Sequence, residues 1–287
     1  MPPRSQKQVV SISRRTDVPW WYPDWLFQAV NKRQVWVGGP RRAARPVDLS
    51  PERVHTLVLW SKNFAPLLAH AKLVQALSKY DQVVCQCTIT GLGGTRVEPK
   101  VPPIQEGVCQ LPRLVELCQD PQRVLVRFDP IVYWREGGAA HTNVGLADEV
   151  FKACRRASVG QVRVSFATLY PKVRRRWADC RLPAGEERWE AARSLKDLAS
   201  THGLELRSCA DPVWEELGVP RAGCIDGALL TRLHPHGEKA STAKDPGQRQ
   251  SCRCTKSVDI GSYAMVCRSG CLYCYANPGA VRPHGPQ

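Results

Sequence analysis

The stretch RVLVRFDP, residues 123–130, decides how the chain is read. Its apolar run shows no polar alternation, the mark of a strand buried on both faces, as in a parallel sheet covered by helices. The run then gives way to an arginine, an aspartate and a proline, which place charge where a strand would hand over to a helix.

Working outward, the same kind of run recurs in VVSIS (9–13), HTLVLW (55–60), QVVCQCTIT (82–90), QVRVSF (161–166) and LELRSC (204–209), with a shorter VWV at 35–37. Amphipathic stretches lie between them: PDWLFQAVNKR, FAPLLAHAKLVQALSKY, LPRLVELCQD, VGLADEVFKACRRA and GEERWEAARSLKDLASTHG. Six or seven such units predict an α/β chain, with a complete or partial (β/α) barrel of parallel strands. No G-x-G-x-x-G follows the first run, which argues against a dinucleotide-binding sheet.

Polar residues gather at the run ends: SRRTDVP (13–19), SKN (61–63), TITG (88–91), RFDP (127–130) and ATLY (167–170). In βα barrels that rim carries the active site. Ser13, Arg14, Arg15, Asp17, Lys62, Asn63, Arg127 and Asp129 are therefore candidate ligand-binding residues, with arginine and lysine suited to a carboxylate or phosphate. Each segment taken alone reads as an ordinary turn or helix cap, Asp17 included.

The chain has 287 residues, is 43% hydrophobic and carries a formal charge of +15. That composition supports a sizeable core, and the charge favours a polyanionic partner such as nucleic acid. RRAAR (41–45) and PKVRRR (171–176) concentrate the charge, without the interleaved aromatics that stack bases. No run approaches the ~18 apolar residues of a membrane span, and MPPRSQKQVVSIS contains no apolar secretion segment, so a cytoplasmic location is expected. The domain reading is a barrel over 1–232, a linker or mobile loop over the polar, Gly- and Pro-containing 233–250, and a cysteine-rich tail over 251–287 that closes over the rim. His234 and His236 fall in the linker and are expected to be solvated.

Thirteen cysteines in such a chain favour thiols and metal ligands over disulfides. Near the end stands CRSGCLYCYANP (267–278), whose Cys267, Cys271 and Cys274 are spaced C-x3-C-x2-C. A structural zinc site takes four ligands, whereas a [4Fe–4S] cluster on three thiolates leaves one iron open. The spacing accommodates both a cluster and a zinc site that borrows its fourth ligand. Cys209, Cys224, Cys252 and Cys254 form a second candidate site, for zinc or an auxiliary cluster, against the plain reading of buried inert thiols. Cys85 and Cys87 share one strand face beneath helices, and Cys109, Cys118, Cys154 and Cys180 are expected to pack. Asp129 is placed to orient Arg127, and Asp259 to pin the terminal loop by accepting backbone N–H groups.

The terminal loop matches the C-x3-C-x-aromatic-C signature of radical S-adenosylmethionine enzymes. The chain as a whole resembles the bacterial domain of unknown function 1848 family, in S-x-S-R-R-T-D-V-P (11–19), W-S-K-N (60–63), R-F-D-P (127–130), C-I-D (224–226), S-V-D-I-G-S-Y (257–263) and C-x3-C-L-Y-C-Y-A-N (267–277). The terminal loop is also similar to that of spore photoproduct lyases, which repair DNA. These resemblances imply a barrel-like fold, a [4Fe–4S] cluster, S-adenosylmethionine, a reducing electron donor, and a small-molecule or nucleic-acid substrate. Two departures stand out. Radical enzymes place this loop after their first strand, whereas here it comes last; barrel closure would return it to the same rim. The G-G-E-P stretch that usually holds the methionine amine has only GLGGTRVEP (91–99) in its place, and Asp17 is the substitute expected for it. The rival reading is a non-catalytic, zinc- or cluster-stabilised basic module that binds nucleic acid.

Overall fold

The computed structural model describes residues 6–39, 42–209, 211–262 and 264–276, so Arg41, Tyr263, Asn277 and the end of the expected tail, 277–287, lie outside the described residues. Six of the apolar runs become β1 (Gln8–Ile12), β2 (Val54–Ser61), β3 (Val83–Thr88), β4 (Val124–Ile131), β5 (Gln161–Phe166) and β6 (Glu205–Ser208). They lie side by side in chain order in one parallel sheet, and a seventh strand, β7 (Val258–Asp259), joins it beside β1. Val10 is in register with Val258 and Ser11 with Asp259. Among the described residues β6 and β7 are the two edges of the sheet, so of the complete or partial barrel expected, the complete form is not made.

The run VWV is not the seventh member. It lies in the strand Gln34–Gly39, which pairs antiparallel with Arg42–Asp48 as a separate ribbon. Trp36 is exposed between half-buried Val35 and Val37, an alternation that suits a one-sided ribbon and not a strand covered on both faces. A small antiparallel sheet of Tyr133–Glu136, Ala139–Thr142 and Cys180–Arg181 also stands apart. The stretch FAPLLAHAKLVQALSKY forms two helices, Ala65–Ala69 and Ala71–Leu77; the His70 ring between them accepts the N–H of Leu73 and caps the second.

The two faces of the sheet differ in chemistry. On one, Ile12, Leu57, Cys85, Val126 and Val164 pack under helices that contribute Leu26, Leu73, Leu114, Phe151 and Leu195. On the other, Val9, Val58, Val84 and Leu125 are covered by Leu229, Leu230 and Leu233 of the helix Gly227–Leu233. Alternation along the strands then puts Ser11, Trp60, Gln86 and Arg127 on that second face, nearer the C-terminal strand ends. Burying each of those leucines contributes on the order of 2 kcal/mol, enough to hold a seven-residue helix that would not persist alone.

Residues 234–250 contain no helix and no strand beyond an isolated bridge at Lys244, in keeping with their composition, yet a few of their side chains are packed. His234, Ala240 and Asp245 are buried. Lys7 bridges Asp81 and Glu238, and the His55 ring meets the Glu238 carbonyl at 2.9 Å. The segment expected to be a linker or mobile loop lies as a strap against the foot of the sheet, where its few apolar and charged groups find partners. The His234 ring lies tilted against that of His55, with centroids 4.4 Å apart, instead of facing solvent, while His236 is exposed as expected.

Gly261 lies where the tail leaves β7, and a Cβ there would run into the Ser13 side chain. Gly261→Ala should cost about 1–3 kcal/mol in urea unfolding and speed hydrogen exchange across 257–262 more than across β3. An unchanged midpoint would contradict the tight seating of the tail on β1.

Candidate functional site

Asp259 fixes the point at which the tail reaches the rim. Its buried carboxylate accepts Ser11 Oγ at 2.9 Å, Ser13 Oγ at 2.7 Å, the Arg14 N–H at 2.8 Å and the Gly261 N–H at 3.1 Å. Arg14 Nη2 donates to Asp245 at 3.0 Å and to Ser257 Oγ at 3.2 Å, and Arg15 Nη1 donates to the Gly261 carbonyl at 2.9 Å. The three residues expected to face a ligand, Ser13, Arg14 and Arg15, therefore spend these groups on holding the last part of the chain to the first strand.

Beyond Gly261 the three-cysteine loop is bonded to segments that follow strands of the sheet. Tyr22 OH donates to the Val266 carbonyl at 2.9 Å and Trp21 Nε1 to Ser269 Oγ at 3.2 Å. The Leu272 N–H donates to the Val97 carbonyl at 3.0 Å. From the helix Pro171–Arg176, Arg176 Nη1 donates to the carbonyls of Leu272 and Cys274 at 3.0 and 2.9 Å, and Lys172 Nζ to that of Ala276 at 3.1 Å. Gly270 takes a left-handed φ of +71° with Pro99 packed against it, a turn that glycine alone makes at no steric cost. Cys271 is buried and Cys267 and Cys274 are half-buried. Burial pushes the Cys271 thiol well up; Glu98 adds to the rise, Lys62 opposes it, and Cys274 and Cys267 raise it further.

Beside that loop stands a buried pair that the rim residues alone do not reveal. Glu98 is fully buried; its Oε1 accepts Lys62 Nζ at 2.9 Å, Thr90 Oγ1 at 2.7 Å and the Tyr273 hydroxyl, while its Oε2 has no partner. Burial by itself would lower the Lys62 pKa, but Glu98, followed by Cys271, outweighs it and keeps the ammonium charged. Burial and the Glu98 carboxylate hold the Tyr273 phenol well above its ordinary value.

Asp17 behaves as the plain reading has it. It is the N-cap of the helix Val18–Trp21, accepting the Trp20 N–H, and it also accepts Ser61 Oγ and the Lys62 N–H. Burial pushes its pKa to about 6 against those three donors. Asn63 likewise serves the local turn, its Oδ1 accepting the Ala65 N–H at 3.0 Å.

Arg127 and Asp129 form an ion pair, with Asp129 also accepting Ser165 Oγ and the Arg127 guanidinium lying 5.2 Å over the Trp60 ring. Arg127 Nη1 donates to Cys224 Sγ at 2.8 Å. Cys224 belongs to a ring of thiols: Cys209 and Cys254 each contact both Cys224 and Cys252. The structure thus gathers the four cysteines that the sequence grouped, in a set that Arg127 faces. The contacts from Cys209 and Cys254, followed by the guanidinium groups of Arg127 and Arg163, hold the Cys224 thiol well below its usual range.

Other cysteines divide simply. Cys85, Cys87, Cys118 and Cys154 lie in the core under the helices, and Cys180 is buried in a short strand. Cys109, expected to pack, is exposed: it is the last residue of a six-residue helix, turned away from the core. Glu98, Trp21, Lys172 and Arg176 are the site residues that the sequence reading did not assign. The E-P pair ending GLGGTRVEP was the available signal for Glu98, while the basic run PKVRRR pointed to polyanions and gave no hint that two of its cations clamp loop carbonyls.

Lys62→Ala would leave Glu98 buried without a cation, and such a loss costs about 3–5 kcal/mol. Urea unfolding at neutral pH should show a loss of that order, and a companion Glu98→Gln change should recover part of it. A single substitution within 0.5 kcal/mol of the parent would refute the buried pair.

No curated protein matches the chain. A comparison with protein-family models matches residues 9–276 to the family described as Domain of unknown function (DUF1848). With that match spanning nearly all of the sequence and taking in both cysteine sets, the chain belongs to the DUF1848 family.

Proposed function

We propose that this chain is a radical S-adenosylmethionine enzyme on a partial (β/α) barrel. In this reading Cys267, Cys271 and Cys274 hold a [4Fe–4S] cluster, and the substrate is a nucleotide, a nucleic acid or another small anion. The observation that carries the reading is the seat of the three-cysteine loop. Five side chains from three parts of the chain, Trp21, Tyr22, Glu98, Lys172 and Arg176, tie the loop to segments that follow strands whose consecutive order is that of a barrel opened between β6 and β7.

The donor set fits such a group. Three cysteines stand in one loop, and two cations flank it, Lys62 over the Tyr273 ring and Arg176 on the Leu272 and Cys274 carbonyls, to offset the negative charge of thiolate-bound iron. When bound, the cluster supplies one electron for reductive cleavage of the sulfonium of S-adenosylmethionine. The chain's own residues supply the rest. Lys62, held charged by Glu98, balances the thiolates; Arg176 and Lys172 fix the loop carbonyls so that the sulfurs keep their spacing. Both Asp17 oxygens already accept donors, whereas Glu98, with Lys62, Thr90 and Tyr273 all on Oε1, keeps Oε2 without a partner, so Glu98 is the better acceptor for an ammonium group. A separate reducing partner delivers the electron. The formal charge of +15 favours an anionic substrate.

Anaerobic reconstitution with iron and sulfide, followed by reduction, tests this. About four irons at the terminal loop, an electron paramagnetic resonance signal altered by S-adenosylmethionine, and release of 5′-deoxyadenosine are expected, and Cys271→Ala should abolish all three. Tightly held zinc at this loop, with no cleavage of S-adenosylmethionine, would instead favour the metal-stabilised nucleic-acid module.

A further inference from the structure

Four cysteines from three separate parts of the chain meet on the sheet face opposite the main helices. Cys209 follows β6, Cys224 lies in the loop before the helix Gly227–Leu233, and Cys252 and Cys254 come from the strap that leads to β7. Their thiols contact one another in a closed ring, Cys209 to Cys224 to Cys254 to Cys252 and back. The backbone is shaped around that meeting. The Thr255 N–H donates to the Ile225 carbonyl at 2.9 Å, and the Asp245 N–H to the Cys254 carbonyl at 2.9 Å. Gln86 Nε2 donates to the Cys224 carbonyl at 2.6 Å. A Cβ on Gly223 would sit 2.8 Å from the Cys254 Cα, so only glycine lets the two segments approach this closely. The Cys254 N–H donates to Cys252 Sγ at 3.4 Å, the kind of bond that stabilises metal-bound thiolates.

The surroundings distinguish these thiols from the inert ones. Cys85, Cys87 and Cys154 pack among apolar side chains, as unreactive buried cysteines do. The ring instead has the Arg127 guanidinium on Cys224 and the buried Arg163 beside it. Arg163 donates to the Gly223 carbonyl, but its Nε and Nη2 have no partner. A buried guanidinium with unpaired donors is costly unless negative charge lies near. Four thiolates around a divalent ion, or around an iron–sulfur unit, carry net negative charge and supply it.

We infer that Cys209, Cys224, Cys252 and Cys254 are a second, closed, four-thiolate metal site that staples the strap to the sheet. Its occupant is a thiophilic metal, as a zinc ion or an iron–sulfur unit. With all four ligands drawn from the protein the site is structural. It joins β6, the loop before the helix Gly227–Leu233, and the segment that delivers β7 to β1.

The site is independent of the terminal loop, and so is its test. The full chain carrying Cys267→Ala, Cys271→Ala and Cys274→Ala together is purified anaerobically and its metal and acid-labile sulfide are measured. About one equivalent of zinc without sulfide, or iron matched by sulfide, is expected to be retained, and these two results distinguish the occupants. Adding Cys224→Ala and Cys252→Ala should abolish retention. Because those changes can also prevent folding, thiol alkylation of the unaltered chain provides a second reading. The four thiols should resist alkylation until a chelator strips the metal, while exposed Cys109 reacts at once. A metal-free triple variant whose four thiols alkylate without chelator, or are found as disulfides, would overturn the proposal.

Discussion

The carboxylate of Asp259 is the constraint on which the arrangement depends. It is one of the two residues of a very short strand, whose two register pairs would hold little by themselves. By accepting two hydroxyls of the first strand segment and two backbone N–H groups, it turns that short pairing into a fixed joint. Charge-assisted bonds of this kind are among the stronger ones available to a chain. The described residues 260–262 and 264–276 start from this joint. The three-cysteine loop therefore arrives at the mouth of the sheet although it comes last in the chain.

Charge is distributed over the second face of the sheet in linked sets. Lys62 pairs with Glu98 beside the terminal loop, and Arg127 divides between Asp129 and Cys224 beside the thiol ring. Buried pairs like these contribute little net stability, because desolvation offsets most of the attraction. Their value lies in what they exclude: a thiolate or an anionic ligand is tolerated next to Lys62, Arg127 or Arg163, and an apolar one is not. The helix Gly227–Leu233 closes the foot of the same face with leucines, so polar chemistry is confined to the upper part.

Much of the fold was legible because the runs near 10, 57, 85 and 126 are apolar at most positions, as a sheet covered on both faces demands, while those near 163 and 206 alternate. The seventh strand was not legible. VWV has the stronger β propensity, but Val258–Asp259 is selected by the side chain of Asp259, a long-range contact that no local pattern encodes. The same distinction runs through the site. Cysteine spacing marked the terminal set, and place in the chain, after a strand run and just ahead of the terminal loop, grouped the other four. Ser13, Arg14 and Arg15 were marked as ligand contacts, but their hydrogen bonds serve the tail, and composition does not distinguish the two uses. Residues 233–250 read as loose because burial there rests on a few scattered side chains and not on a periodic face.

The most direct test is an anaerobic crystal structure of the reconstituted chain with S-adenosylmethionine. The account expects an iron–sulfur cluster on Cys267, Cys271 and Cys274 at the mouth of β2 and β3, with the fourth iron bound by the amine and carboxylate of the cofactor and β7 still paired to β1. A fourth protein side chain on that iron, or a terminal loop standing away from the strand ends, would contradict it.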